Sequence, residues 1–275
     1  MRFTKMHGCG NDYVYVDCFH EKAPADPGRV AVDISRPHTG VGADGLILIE
    51  PCESADAFMR IFNKDGSEGE MCGNGIRCVG KYLYDSGIAR RSVLQINTRG
   101  GLKTLQMQVQ DGVAVGARVD MGLMRFESAA IPVHAPGNRV TLSACGHTMS
   151  FFCVNAGNPH AVTFDYFPTD DEFARMGSML ENDPVFPERA NISFAKLIDQ
   201  DTIQARIWER GSGPTQACGS GATATQTAAY KLGFTDPRAA VRLPGGELII
   251  EYDAASGHAF MSGPAHTVFT GDYPI

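Results

Sequence analysis

At 275 residues the chain is long enough for one large domain or for two smaller ones, each with a complete core. Hydrophobic residues make up 43% and charged residues 20%, which excludes a disordered or fibrous chain. A net charge of −7 offers a phosphate backbone no general attraction, so no nucleic-acid partner is expected.

The opening "MRFTKMHGCGNDYV" carries charges and glycines where a secretion signal needs an apolar run, and no later stretch reaches the roughly 18 apolar residues of a membrane span. The expectation is a cytoplasmic protein with no membrane partner. Cys9, Cys18, Cys52, Cys72, Cys78, Cys145, Cys153 and Cys218 are then expected as free thiols, and none stands in a Cys-x-x-Cys pair. A helix is predicted over residues 28–36, followed by strands over 45–50 and 57–63, a helix beginning just past Cys72, and strands over 92–98, 102–110 and 113–121. Proline and glycine collect over residues 125–139, where a linker is expected. Strands follow over 148–155 and 160–165, then a helix over 169–180 whose Thr169 and Glu172 suit a capping box. The remaining elements are strands over 191–199 and 202–209, a helix just past Cys218, and strands over 247–252 and 258–263. Largely antiparallel strands with one central helix per half indicate an α+β fold of two lobes, residues 1–122 and 123–275. Whether a last strand near 264–275 returns to the first lobe stays open.

Two glycine strings fail their tests. "GVGADG", Gly40 to Gly45, matches a dinucleotide-binding fingerprint but precedes an expected strand instead of opening a helix. "GIRCVGKY", Gly75 to Tyr82, copies a P-loop up to its lysine, yet Tyr82 stands where a Ser or Thr would hold magnesium, and the string lies inside a predicted helix. The eight histidines form no ligand set, so no metal is called for.

One string does repeat. "EMCGNGIRCVGKYLYDSG" from Glu70 is answered by "QACGSGATATQTAAYKLG" from Gln216, with Tyr84 and Tyr230 at the same offset. Upstream, "RIFN" (Arg60 to Asn63) and "RIWE" (Arg206 to Glu209) keep that spacing without a gap, which points to two related halves. A cysteine in the first turn of a helix lies beside unpaired amides and the positive end of the dipole, both of which favour thiolate. The amides of Gly73 and Asn74, and of Gly219 and Ser220, would hold a carboxylate. A lone free cysteine is by default a small core residue, but two symmetry-related thiols around one carboxylate suit inversion of a stereocentre, one removing the α-proton and the other supplying a proton on the opposite face.

The chain closely resembles the diaminopimelate epimerases, nearly end to end. The resemblance rests on "KMHGCGNDYV", "RPHTGVGADGL", "RIFNKDGSEGEMCGNGIRC", "NAGNPHAV", "FPERANISF" and "WERGSGPTQACGSGATA". It implies two pseudo-symmetric lobes, each a mostly antiparallel sheet wrapped around a central helix, and epimerisation of LL-2,6-diaminopimelate to the meso form without a cofactor. By the same resemblance Cys72 and Cys218 are the acid/base pair, with Gly73, Asn74, Gly219 and Ser220 on the reacting carboxylate. Asn11, Asn63, Asn158, Asn191, Glu209 and Arg210 would bind the rest of a small diamino diacid, and His160 and Glu209 would tune the thiols. Some members carry Gln where Gly45 stands, and no binding role passes to Gly45. Two alternatives remain at this point, a racemase of another amino acid and a thiol-reactive sensor. Oligomeric state is open, a homodimer among the options.

Overall fold

Arg2–Gly8 (β1) and Asn11–Asp17 (β2) form an antiparallel hairpin turned by Cys9 and Gly10, whose φ angles of 53° and 77° are those of a tight two-residue turn matched to strand twist. In the computed structural model, which describes residues 1–275, this hairpin belongs to a unit made of Met1–Asp120 and Ser262–Ile275; the other unit is Met121–Met261.

In the first unit the chain continues through Pro27–Ile34 (α1), Gly45–Glu50 (β3), Ala57–Asn63 (β4), Glu68–Gly69 (β5), Gly73–Ser86 (α2), Val93–Thr98 (β6), Lys103–Gln110 (β7) and Val113–Leu123 (β8), the last of which runs on past Asp120 into the second unit's residues. The pairs β3–β4, β6–β7 and β7–β8 are antiparallel. The pairs β2–β3 and β4–β6 are parallel, and each is joined through a helix, α1 and α2 respectively, because a parallel neighbour is out of reach of a short turn. Helix α2 is buried almost all round, from Gly73 to Lys81 and at Leu83. It approaches the sheet closely enough that a Cβ on Gly75 would lie 2.7 Å from the Ile47 side chain. Val14, Val16, Ile34, Leu46, Leu48 and Phe62 form a core on the α1 side.

The second unit repeats the plan. Arg139–Ala144 (β9), His147–Asn155 (β10), Pro159–Thr163 (β11), Asp170–Glu181 (α3), Asn191–Asp199 (β12), Thr202–Glu209 (β13), Gly213–Pro214 (β14), Gly219–Lys231 (α4), Arg238–Leu243 (β15) and Gly246–Tyr252 (β16) follow in order. Here β11–β12 and β13–β15 are the parallel pairs, spanned by α3 and α4. Glu172 closes the start of α3, accepting from the N–H and the hydroxyl of Thr169 at 3.0 and 2.7 Å. Phe151, Phe173, Met176, Ile192 and Phe194 centre the core between α3 and the sheet.

His258–Pro264 (β17) leads back to the first unit, and His266–Asp272 (β18) pairs antiparallel with β1 from Arg2↔Asp272 to His7↔His266. The fold is α+β, each unit a mostly antiparallel sheet with one central helix. Residues 125–139 run as turns and a short bridge inside the second unit, with Ile131 fully buried. No helix is long and apolar enough to cross a membrane.

Candidate active site

Each half of the repeated string becomes the same local structure. Cys72 is the N-cap of α2, in extended backbone (φ −129°, ψ 118°), and its Sγ accepts the Gly75 N–H at 3.3 Å. Cys218 is the N-cap of α4 (φ −116°, ψ 113°), and its Sγ accepts the Gly221 N–H at 3.4 Å. A helix leaves its first four N–H groups without a partner inside it, so a cap sulfur answers one and leaves first-turn amides directed at whatever lies beyond. In α2 those residues are Gly73 and Asn74, and in α4 Gly219 and Ser220.

Around Cys72 the partners are amides. The thiol donates to Asn11 Oδ1 at 3.2 Å, and Asn74 Nδ2 donates to that same oxygen at 3.3 Å. Asn11 is carried by the Cys9–Gly10 turn at the start of β2, and its Nδ2 is anchored on Asp44 at 2.7 Å. Asn74 is 1% exposed, and its Oδ1 accepts from Arg77 Nη2 at 2.9 Å.

Around Cys218 the dominant partner is a carboxylate. The residue is 5% exposed; burial, then the charge of Glu209, hold its thiol well above the ordinary range. The helix start works in the opposite direction through the Gly221 N–H, and burial outweighs it, so the expectation of a thiol made acidic by its cap fails for Cys218. Ser220 Oγ lies 3.5 Å from the sulfur, and Glu209 Oε1 accepts from Thr215 Oγ1 at 2.5 Å.

The other expected residues fall into separate groups. Asn158, His160, Asn191 and Arg210 share one network in the second unit. His160 Nε2 meets Asn158 Oδ1 at 2.8 Å, Asn191 Nδ2 donates to Pro159 O at 2.8 Å, and Asn191 Oδ1 accepts the Arg210 N–H at 2.9 Å. Arg210 Nη1 donates to Glu188 O at 2.9 Å. Burial, then the charge of Arg210, bring His160 down to about 3, so its ring is neutral. The groups acting on the Cys218 thiol are Glu209, Ser220 and Gly221, while His160 is tied to Asn158. Asn63, at the end of β4, donates to Ser67 Oγ at 3.0 Å in the turn that follows. A Cβ on Gly45 would lie 2.1 Å from Phe62 O, so backbone occupies the space a side chain would need.

Three residues of the site gave no functional signal in the sequence. Asp44 sits inside the rejected "GVGADG" string, Arg77 inside the rejected P-loop string, and Glu181 at the end of α3. Glu181 accepts from Trp208 Nε1 at 2.7 Å, Gly211 N at 2.8 Å and Arg189 Nη1 at 3.1 Å, which braces the corner carrying Glu209 and Arg210. A surface groove between α1 and Tyr273–Ile275 contains none of the expected residues.

A family profile described as diaminopimelate epimerase matches residues 3–127 and 152–268. The chain is 46% identical over 282 residues to a diaminopimelate epimerase of Acetivibrio thermocellus, covering 100% of this chain and 99% of that one. It is 45% identical over 280 residues to one of Methanococcus maripaludis, covering all of both. Among solved structures, a hydroxyproline epimerase from Agrobacterium vitis superposes with a TM-score of 0.72 at 16% identity, over 98% of this chain and 91% of that one.

Proposed function

The chain belongs to the diaminopimelate epimerase family, and from that premise we propose that it inverts an α-carbon of diaminopimelate with two cysteines, Cys72 and Cys218, as its proton carriers and with no cofactor. It is an isomerase of a small amino acid, and the reaction serves lysine biosynthesis. The observation that carries the mechanism is the repetition of one device. Each unit caps its central helix with a cysteine whose sulfur accepts the N–H three residues on.

The carbon acid is weak, so its conjugate base must be stabilised as it forms. The α-C–H bond breaks toward one sulfur, its electron pair moves into the carboxylate as enolate character, and the other sulfur's proton forms the new bond on the opposite face. Amides of Gly73, Asn74, Gly219 and Ser220 meet the added charge on the carboxylate. In this reading Asn11, Asn63, Asn158, Asn191, Glu209 and Arg210 bind the distal groups, the guanidinium of Arg210 taking the second carboxylate at two points. His160, neutral and joined to Asn158, orients that amide. A cytoplasmic location belongs to the same reading.

The test is to incubate purified protein with LL-diaminopimelate in heavy water and follow the α-positions by proton NMR. Loss of the α-proton signal together with appearance of the meso isomer is expected. An intact α-proton over many hours, at enzyme levels where the fold is verified, would sink the proposal.

A further inference from the structure

Arg77 and Asp44 stand at the two ends of one chain of hydrogen bonds inside the first unit. Arg77 Nη2 donates to Asn74 Oδ1 at 2.9 Å, Asn74 Nδ2 donates to Asn11 Oδ1 at 3.3 Å, and Asn11 Nδ2 donates to Asp44 Oδ2 at 2.7 Å. Every bond runs the same way, from the cation to the carboxylate. Neither end can reverse, because a guanidinium has no acceptor and a carboxylate has no donor. Turning the Asn11 amide over would set its NH2 against that of Asn74 and its oxygen against Asp44. Turning Asn74 as well would mend the middle bond but face an NH2 to Arg77. The two ends therefore leave each amide one satisfied orientation, and in it Asn11 Oδ1 meets the Cys72 sulfur at 3.2 Å as an acceptor.

Both ends are anchored. Arg77 is fully buried, and its Nη1 and Nε donate to Gly73 O at 3.1 Å and to Pro264 O at 3.2 Å. Asp44 Oδ2 also accepts the Asp12 N–H at 3.2 Å, and the Asp44 N–H donates to Asp12 O at 2.8 Å. Lys5 Nζ bridges Gly42 O and the Asp12 carboxylate, which ties the loop before β3 to the hairpin that carries Asn11. A cysteine-capped helix does not by itself require this chain. The residues 146 positions beyond Asn74 and Arg77 are Ser220 and Thr223. At the start of α4 the Thr223 hydroxyl donates to Gly219 O at 2.9 Å, so a neutral side chain meets the carbonyl that Arg77 meets in α2.

We propose that Asp44 and Arg77 are positioning residues which, acting through Asn11 and Asn74, keep an acceptor and not a donor turned to the Cys72 side of the site. The inference rests on the two-thiol reading above and deepens it. Asn11 Oδ1 repels the oxygens of a substrate carboxylate, so the carboxylate is turned to the amides at the start of α2; what this oxygen admits is an N–H or O–H. With Asn11 turned over, its NH2 would offer the carboxylate a second and unproductive resting place.

The test reads the two amides directly. Protein carrying heavy nitrogen in its asparagines is followed by NMR, and exchange of the Asn11 and Asn74 carboxamide protons with water is timed. Asp44→Ala cuts the chain at Asn11, yet exchange is expected to quicken about tenfold at Asn74 as well as at Asn11, the effect of one lost hydrogen bond to a charged group. Activity gives the second reading, at a temperature where every variant is folded. Asn11→Asp sets two carboxylates against each other and is expected to lower kcat about tenfold or more. Adding Asp44→Asn reverses the donor at that bond while keeping an oxygen toward Cys72, and is expected to restore most of the loss. A merely structural role for Asp44 would lower the melting temperature of Asp44→Ala without this rescue. Unchanged exchange at Asn74 in folded Asp44→Ala, or a double variant no better than Asn11→Asp, overturns the proposal. Should Asp44→Ala not fold, the Asn11→Asp and Asp44→Asn pair still decides. Deuterium exchange at the α-carbon that survives Cys72→Ala would instead overturn the two-thiol reading and leave the amide measurements untouched, so the two failures are distinct.

Discussion

The indole Nε1 of Trp208 donates to one oxygen of Glu181 across 2.7 Å, and the other oxygen accepts the Gly211 N–H at 2.8 Å. Glu181 is 5% exposed, so water has little access to replace it, and the two bonds grip the chain on either side of Glu209 and Arg210. Glu181→Ala leaves three donors without their acceptor; the exposed Arg189 can turn to solvent, while the Trp208 indole and the Gly211 N–H each cost about 1–3 kcal/mol. We expect a clear fall in the midpoint of chemical denaturation and a raised KM for diaminopimelate, with Glu181→Gln intermediate because it keeps one acceptor. A denaturation midpoint indistinguishable from wild type in the Ala variant contradicts this account.

Cys72→Ala and Cys218→Ala are each expected to abolish epimerisation while leaving thermal stability close to wild type. The double variant should be little worse than either single one, because the pair acts as a unit. Steady-state assays with matched melting curves check this, and near wild-type activity in either single variant rules out two proton carriers.

Arg210→Lys is expected to act mainly on KM. An ammonium can replace the charge, but not the planar two-point grip on a carboxylate. A KM unchanged from wild type removes Arg210 from the distal site and returns weight to a monocarboxylate substrate.

Gly45 opens β3 opposite Asn63 of β4. In this chain its Cβ position is 2.1 Å from Phe62 O, a backbone atom of the paired strand β4, so even Gly45→Ala must push β3 and β4 apart. We expect a loss of about 1–3 kcal/mol, the usual range for overpacking, and a larger loss for Gln. Equilibrium unfolding of the Ala variant measures it; a stability equal to wild type would mean that the strand pair gives way freely.

Alkaline conditions act on the core of the second unit. Burial raises the Cys153 thiol from 9.0 to about 12, so above pH 9 the unfolded chain releases a proton that the native state keeps. The unfolded state then binds fewer protons, and stability declines from about pH 9 until the folded thiol itself titrates. Cys153→Val removes this group, and its melting temperature should fall less steeply between pH 9 and 11 than that of the wild type. Parallel slopes for the two proteins would assign the alkaline loss to other groups, such as Cys18 and Cys78, both also raised to about 11.

The parts of the molecule visible in the sequence are those whose cause is local. A capping cysteine with two glycines is written within four residues, and so is the Thr169–Glu172 start of α3, so these helix beginnings could be placed without a fold. A last strand near 264–275 is expected, and His266–Asp272 is that strand, but its side chains are exposed on both faces except at Gly271, so no alternation says which sheet it joins. Arg2–Gly8, Asn11–Asp17, Arg139–Ala144 and Arg238–Leu243 are the strands that the sequence pattern does not reveal; β2 hides its alternation in a run of four buried residues, Tyr13 to Val16. Arg77 was illegible for a different reason. An arginine in a helix is normally solvated, and here it is buried partly by the Pro264 carbonyl, 187 positions away. Glu181 depends in the same way on Trp208 and Gly211, which only the folded corner brings to it.

The pairing of β18 with β1 also sets a timetable. The Met1 amino group donates to Tyr273 O at 2.9 Å, and Phe3 meets Phe269 edge to face with ring centres 5.9 Å apart. During translation every residue of the second unit leaves the ribosome before residues 262–275 do. The strand that carries Arg2–Gly8 therefore waits with an unpaired edge through the synthesis of some 250 residues. The hairpin that presents Asn11 to Cys72 is built first and completed last, and the nascent chain is most open to aggregation and to chaperone capture in that interval.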